Sequence, residues 1–274
     1  MIVNKEITPH KSLRNLFEKD INVNHISEDM KTFNSNDSIN QAWEYMNKYD
    51  FDNVGVEEDG KIIGYIDYED LEKERSNKCG EYRKDFIPGE VVSDTTPLIN
   101  ALYLFKGTSR IFVLEGNKVT KIVTKSDFQK TPVQLLLFGL VSMVEMYLLK
   151  LIKGNSTNRS WKGYLADNRI KKTEEIYNQR KQSNEEIELI DCLQLCDKRD
   201  IILKNEEILP LLPFGSKNKG DKYFKKLEGL RNDLAHVQDF MNNFALAELI
   251  ILVEQTEDLL RKCEKLLAKA NNTQ

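Results

Sequence analysis

Between residues 37 and 130 the apolar positions switch from a helical period to a strand period twice, in the same order. In the first stretch, 37–73, Ile39, Ala42, Trp43 and Met46 fall at helical spacing, and Val54 and Val56 then alternate as in a strand. Glu58-Asp59-Gly60 is a hairpin turn signal, Lys61 to Ile66 reads as a second strand, and a further helix starts near Asp67 to Leu71. In the second stretch, 95–130, Leu98, Ala101, Leu102 and Phe105 give the helix and Ile111 to Leu114 a strand. Glu115-Gly116-Asn117 is the turn, Val119 to Val123 the second strand, and Thr124 begins the next helix. One unit read twice, with a polar linker over 74–90, is an internal repeat.

After Pro132 the strand period stops. Helical patterns predict helices near 134–153, 162–181, 184–204, 221–235 and 240–269, with breaks at Gly154-Asn155-Ser156 and from Pro213 to Gly220. In the last of them Leu249, Leu252, Val253, Leu259, Leu260, Cys263 and Leu267 share one stripe. The run Val133 to Leu149 is almost wholly apolar, yet it is shorter than the roughly 20 residues a span needs, it contains Glu145, and Lys150 and Lys153 follow it. The expectation is a buried central helix and no membrane. Met1 to His10 is polar and carries no apolar signal core.

The fold class expected is therefore α+β followed by all-α: small mixed sheets with helices over 1–132, then a helical bundle over 133–274. Composition supports packed domains, since 40% of residues are hydrophobic and 31% charged. The net charge of −4 excludes a global basic field, so any RNA contact must use a local patch such as Lys217, Lys219, Lys222, Lys225 and Lys226. A solvated lysine face is the plain alternative for that run. Four cysteines without a Cys-x-x-Cys pair and three histidines argue against a metal site, and free thiols in a reducing cytoplasm are the expectation.

Two short motifs carry chemistry. The first is Thr124-Lys125-Ser126-Asp127, at a strand-to-helix turn of the second repeat. On these features residues 28–132 resemble CBS domains, which pair and often hold an adenosine-type nucleotide between the copies. The resemblance implies Asp127 on the ribose hydroxyls and Thr124 with free helix-start N–H groups on phosphate. Arg110 is in place to supply a phosphate fork. Asp70 matches the ribose carboxylate in the first copy. That copy has Asp67 where the pattern has Thr, an extra carboxylate that repels phosphate and favours an empty site or an uncharged nucleoside, and Lys121 stands where a Gly is usual. The residue types also allow a plainer reading, in which Thr124 and Asp127 are a helix cap and its first-turn partner.

The second motif is Leu230-Arg231-Asn232-Asp233-Leu234-Ala235-His236. An Arg, a polar residue, three more and a His, set in a helical half, resembles the RNase motif of HEPN domains, which are all-helical, dimeric and often metal-independent. The resemblance implies a homodimer acting on RNA without a cofactor. His236 would move a proton, Arg231 would stabilise the phosphorane charge and Asn232 would orient either group. Five residues along a straight helix turn side chains about 140° apart, so Arg231 and His236 meet only if the helix ends between them or a second chain completes the site. An ordinary alternative pairs Arg231 with Glu228 and leaves His236 as a C-terminal cap.

Together these point to a nucleotide-regulated endoribonuclease of a prokaryotic defence or stress-toxin kind, with an antitoxin partner left open. The other reading is a non-catalytic nucleotide sensor and dimerisation scaffold.

Overall fold

The computed structural model describes residues 15–71, 77–155, 161–183, 185–235 and 244–271. The chain divides into two compact units, 1–133 and 134–274.

In the first unit each repeat builds one small sheet. The first sheet has the order β2 (Thr32–Asn34), β3 (Asn53–Glu58), β4 (Lys61–Asp67), with helix α1 (Ile39–Tyr49) joining β2 to its parallel neighbour β3. The second has the order β1 (Glu28–Asp29), β7 (Lys118–Thr124), β6 (Arg110–Glu115), β5 (Val91–Ser93), and helix α2 (Leu98–Leu104) joins β5 to parallel β6. In both copies the hairpin carries a register shift at the same place, after Val56 and after Val113. An offset of 57 residues, that between Asn53 and Arg110, carries one hairpin onto the other.

The turn residues explain the hairpins. Asp59 and Gly60 have φ of 50° and 72°, so the first loop takes positive φ at both central positions, whereas in the second Gly116 alone does, at 65°. Both are two-residue turns whose twist matches the flanking strands. The three-residue strands β2 and β5 are too short to register as a period, and the sequence does not announce them. Where further helices were expected after Asp67 and Thr124, the chain makes short 3-10 turns, Tyr68–Asp70 and Lys125–Gln129. The core of the first copy is Ile39, Ala42, Met46, Val54, Val56, Ile66 and Cys79, all buried. A second cluster joins Tyr65 of the first copy to Phe112, Val119 and Ile122 of the second.

In the second unit, helix α3 (Thr131–Gly154) is long and apolar enough to cross a membrane by length and composition, and 61% of its most apolar window is buried inside the protein. It is tied on several sides: Tyr147 donates to Glu264 of α7 (Leu246–Asn271) at 3.0 Å, Lys198 of α5 (Leu195–Lys204) to Glu145 at 3.1 Å, and Lys153 pairs with Asp191 at 2.8 Å. The other long helices are α4 (Asp167–Gln182) and α6 (Lys217–Ala235). A single helix over 184–204 does not form. Instead Asp191 accepts from the Glu188 N–H and Asp197 from the Gln194 N–H, both at 3.0 Å, so two short caps break the segment into a 3-10 turn and α5.

One glycine is required by a close approach. The Gly64 backbone lies against the chain at Lys84, which forms an isolated bridge in which the Tyr65 N–H donates to the Lys84 carbonyl at 3.0 Å and the Lys84 N–H returns the bond at 2.8 Å. A Cβ there would collide with the Lys84 carbonyl oxygen and sit 2.6 Å from Arg83 Cγ. Gly64→Ala is therefore expected to lower the unfolding free energy by roughly 1–3 kcal/mol, read from a urea transition. An unchanged midpoint would contradict that close approach.

Candidate ligand junction and the Arg231 face

The junction between the two copies is organised by one side chain. Arg110 opens β6, opposite Thr124 in the register, and its counterpart Asn53 opens β3, opposite Asp67. Arg110 Nη1 donates to Asp67 Oδ2 at 2.6 Å and also to Asn53 Oδ1, while the guanidinium lies 4.8 Å from the Tyr65 ring centroid. Both side chains of the ion pair are largely buried, at 13% and 11% exposed. Burial by itself lowers the arginine's pKa, but the hydrogen bond and charge of Asp67 outweigh it and hold the group above its ordinary value. Tyr65 continues into a small aromatic cluster, 4.8 Å from Phe112 and 6.1 Å from Phe86. Its hydroxyl pKa is raised by burial, an effect that the Arg110 charge partly offsets.

Further charges surround this pair. Lys84 forms an ion pair with Asp70 and lies 3.9 Å from Asp67. The hydrogen bond to Asp70 raises the Lys84 pKa. Glu90 accepts from the Thr108 hydroxyl at 3.0 Å through one oxygen. Its other oxygen, Oε2, and Arg110 Nε are buried and make no hydrogen bond among the described residues.

Thr124 and Asp127 form a different cluster. Asp127 Oδ2 accepts from the Thr124 N–H at 2.6 Å and from its hydroxyl at 3.1 Å, and Oδ1 pairs with Lys130 at 2.6 Å. The Thr124 hydroxyl also meets the Ser126 hydroxyl at 2.8 Å. Lys130 reaches on to the Ile26 carbonyl at 2.6 Å and Glu28 at 2.8 Å. Burial alone lowers its pKa, and hydrogen bonds to Asp127 and Glu28 reverse the shift and raise it. Asp127 is 5% exposed and acts here as a helix-start cap. Lys121 is held by Glu115 at 2.6 Å and Asn24 at 2.7 Å. Sequence reasoning named Arg110, Asp70, Thr124 and Asp127 but missed Asn53, Tyr65, Lys84, Glu90 and Lys130. The repeat offset was a usable signal for Asn53, since it makes that residue the counterpart of Arg110.

In the second unit Arg231 lies near the C-terminal end of α6, half exposed, with its Nε 3.8 Å from Glu145 Oε1. Arg231 and Asn232 line a polar cleft of about 420 Å³ with Glu145, Arg180, Asp191 and Glu228. Glu228 is not the partner of Arg231: Arg199 takes both its oxygens, at 3.0 and 2.8 Å. Burial raises the Glu228 pKa, and the Arg199 charge opposes the rise. His236 lies outside the described residues. Lys219, Lys222 and Lys226 border a separate groove between α6 and α7, where Lys226 meets Glu248 at 3.3 Å. Among the described residues no group of three His, Cys, Asp or Glu side chains is placed to hold a metal ion.

Lys130→Met removes the ion pair from a carboxylate that is 7% exposed. The expected loss is roughly 1–3 kcal/mol of stability, read from the chemical unfolding midpoint. A midpoint equal to that of the parent chain would show that the Asp127 contact adds nothing.

The family model for the CBS domain matches this chain twice, over residues 19–77 and 80–132. A zinc metalloprotease of Methanocaldococcus jannaschii is 31% identical over 117 residues, which is 42% of this chain and 31% of that protein, so the match spans about a third of the relative's length. A CBS-domain protein of Thermoplasma acidophilum shares 18% identity over 43% of this chain and 75% of its own, with a TM-score of 0.35. CBSX2 from Arabidopsis thaliana shares 17% identity over 42% of this chain and 95% of its own, with a TM-score of 0.36. For CBSX2 in complex with AMP the values are 19%, 42%, 97% and 0.36. With a hairpin, a register shift and a strand-end turn repeated at one offset, and the family model matching each copy, the N-terminal part of the chain is a CBS domain pair.

Proposed function

We propose that the CBS pair is a sensor for an adenine-type nucleoside or nucleotide and that ligand at the junction governs the helical unit. The observation that carries this reading is Arg110, a buried cation of the second copy held by Asp67 and Asn53 of the first. A ligand that engages it acts on both copies at once. Such a ligand shifts the protein between states only through different affinity for them. The buried atoms Arg110 Nε and Glu90 Oε2 supply one donor and one acceptor for it. The activity in the metalloprotease's name is not carried over, since His10, His25 and His236 are the only histidines in this chain and none are spaced as a zinc-protease motif requires. Four free cysteines fit a cytoplasmic setting.

For the helical unit we propose a HEPN-type, metal-independent endoribonuclease acting as a homodimer. Arg231 would stabilise the transition state, Asn232 would orient it, and His236 would serve as acid and base. This reading is favoured by the exposure of Arg231 and by its long, 3.8 Å contact with Glu145, which leaves the guanidinium free to meet phosphate. A nucleotide-gated RNase of this kind suits a defence or stress toxin, with or without an antitoxin chain. The alternative is a sensor and dimerisation scaffold without catalysis.

Two outcomes are expected. In a thermal-shift series with adenosine, AMP, ADP and ATP, at least one ligand raises the melting temperature. At about 100 times its Kd the gain is about 2.7 kcal/mol, and Arg110→Ala removes it. No shift with any of the four ends the sensing reading. In the second experiment a labelled single-stranded RNA is incubated with the purified chain and EDTA, with those ligands absent or present. Cleavage is expected from the parent chain, and Arg231→Ala and His236→Ala each reduce it by about a hundredfold or more. Equal cleavage by all three proteins, or none by a folded dimer under every ligand condition, favours the scaffold.

A further inference from the structure

The repeat offset sets Asp67 of the first copy where the second copy has Thr124. A carboxylate therefore stands in a position whose twin is a hydroxyl. The nearest cation does not offset it for a ligand's benefit, because Arg110 is already bound to it at 2.6 Å and to Asn53. An entering phosphate would have to draw Arg110 away and leave behind a carboxylate that is 11% exposed. That exchange trades one ion pair for another and leaves the buried Asp67 with only the 3.9 Å ionic contact of Lys84, which Asp70 already holds.

The groups around the pair act in the same direction. Asp70 and Glu90 add two carboxylates, and Lys84 adds one cation, already paired with Asp70. With Asp67 and Arg110 included, three carboxylates face two cations, so the cluster is one negative charge out of balance. A phosphomonoester brings about two negative charges into that field at neutral pH. By contrast, Arg110 Nε and Glu90 Oε2, buried without a hydrogen-bond partner among the described residues, are one donor and one acceptor. A neutral ligand adds no charge to that field and needs no exchange of the Asp67–Arg110 ion pair.

We propose that Asp67 is a specificity residue that makes this junction take an uncharged nucleoside and turn away its monophosphate. The proposal rests on the sensing reading above and names its ligand class.

The test is calorimetric titration of the full chain with adenosine and with AMP, for the parent, Asp67→Thr, Asp67→Asn and Asp67→Thr with Arg110→Ala. The parent is expected to bind adenosine at least about tenfold more tightly than AMP. Asp67→Thr, which copies the second repeat, is expected to raise AMP affinity at least about tenfold. Adding Arg110→Ala removes the AMP gain, which a merely loosened fold would not do. Should the Thr variant fail to fold, Asp67→Asn keeps the side-chain shape, loses the charge, and carries the same expectation. A parent that binds AMP as tightly as adenosine overturns the proposal, as does an Asp67 variant with unchanged AMP affinity. A parent that binds neither ligand overturns the sensing reading and this proposal with it, whereas a parent that binds AMP as well as adenosine leaves the sensing reading standing and overturns this proposal alone.

Discussion

A buried ion pair between Asp67 of the first repeat and Arg110 of the second is the constraint around which the N-terminal unit is arranged. Two charges withdrawn from water are tolerated only when each satisfies the other, and removal of either partner from such a pair typically costs about 3–5 kcal/mol. The strands that deliver them are not equivalent in the two copies. Arg110 begins the first hairpin strand of its copy and Asp67 ends the second hairpin strand of the other. Asn53 shares the Arg110 donor, and the Tyr65 ring lies against the guanidinium. The residues that join the copies are thus also the ones proposed to meet a ligand.

Much of this architecture was legible in the sequence. The alternation at Val54 and Val56, the Asp59-Gly60 turn and their repetition at Ile111 and Gly116 identify the hairpins, because side-chain period and positive-φ turns are local properties. The three-residue strands at Thr32 and Val91 were not legible, since their place is set by pairing with a distant neighbour. For the same reason the site was legible only in part. Arg110, Asp70, Thr124 and Asp127 stand out by type and position, but no local pattern says that Arg110 turns to Asp67, or that Lys130 reaches Asp127 and the Ile26 carbonyl together. A capping motif and a ligand motif share the same letters at Thr124-x-x-Asp127. Three-dimensional context, here a lysine on the carboxylate, distinguishes what the group does in the unliganded protein.

The helical unit shows the same division. The apolar run from Val133 marks a helix whatever its surroundings, and Glu145 within it acquires meaning only through Lys198 and Arg231, which approach from other helices. The segment 184–204 has a helical composition, yet Asp191 and Asp197 turn back on the N–H groups of Glu188 and Gln194 and divide it. Short acidic side chains compete with helix continuation in this way. The polar cleft beside Arg231 and Asn232 is where the proposed RNA chemistry would be sought, while the lysine-bordered groove lies apart from it.

The account depends on Arg110 being the group that a ligand at the junction meets. The most direct measurement follows the Arg110 Nε–H resonance by ¹⁵N–¹H NMR, assigned by its loss in Arg110→Lys, during titration with adenosine. A ligand that satisfies this donor, which is buried without a partner among the described residues, should move the resonance and slow its exchange with water, saturating with the binding isotherm. A ligand that binds while the Arg110 resonance stays in place would contradict the account.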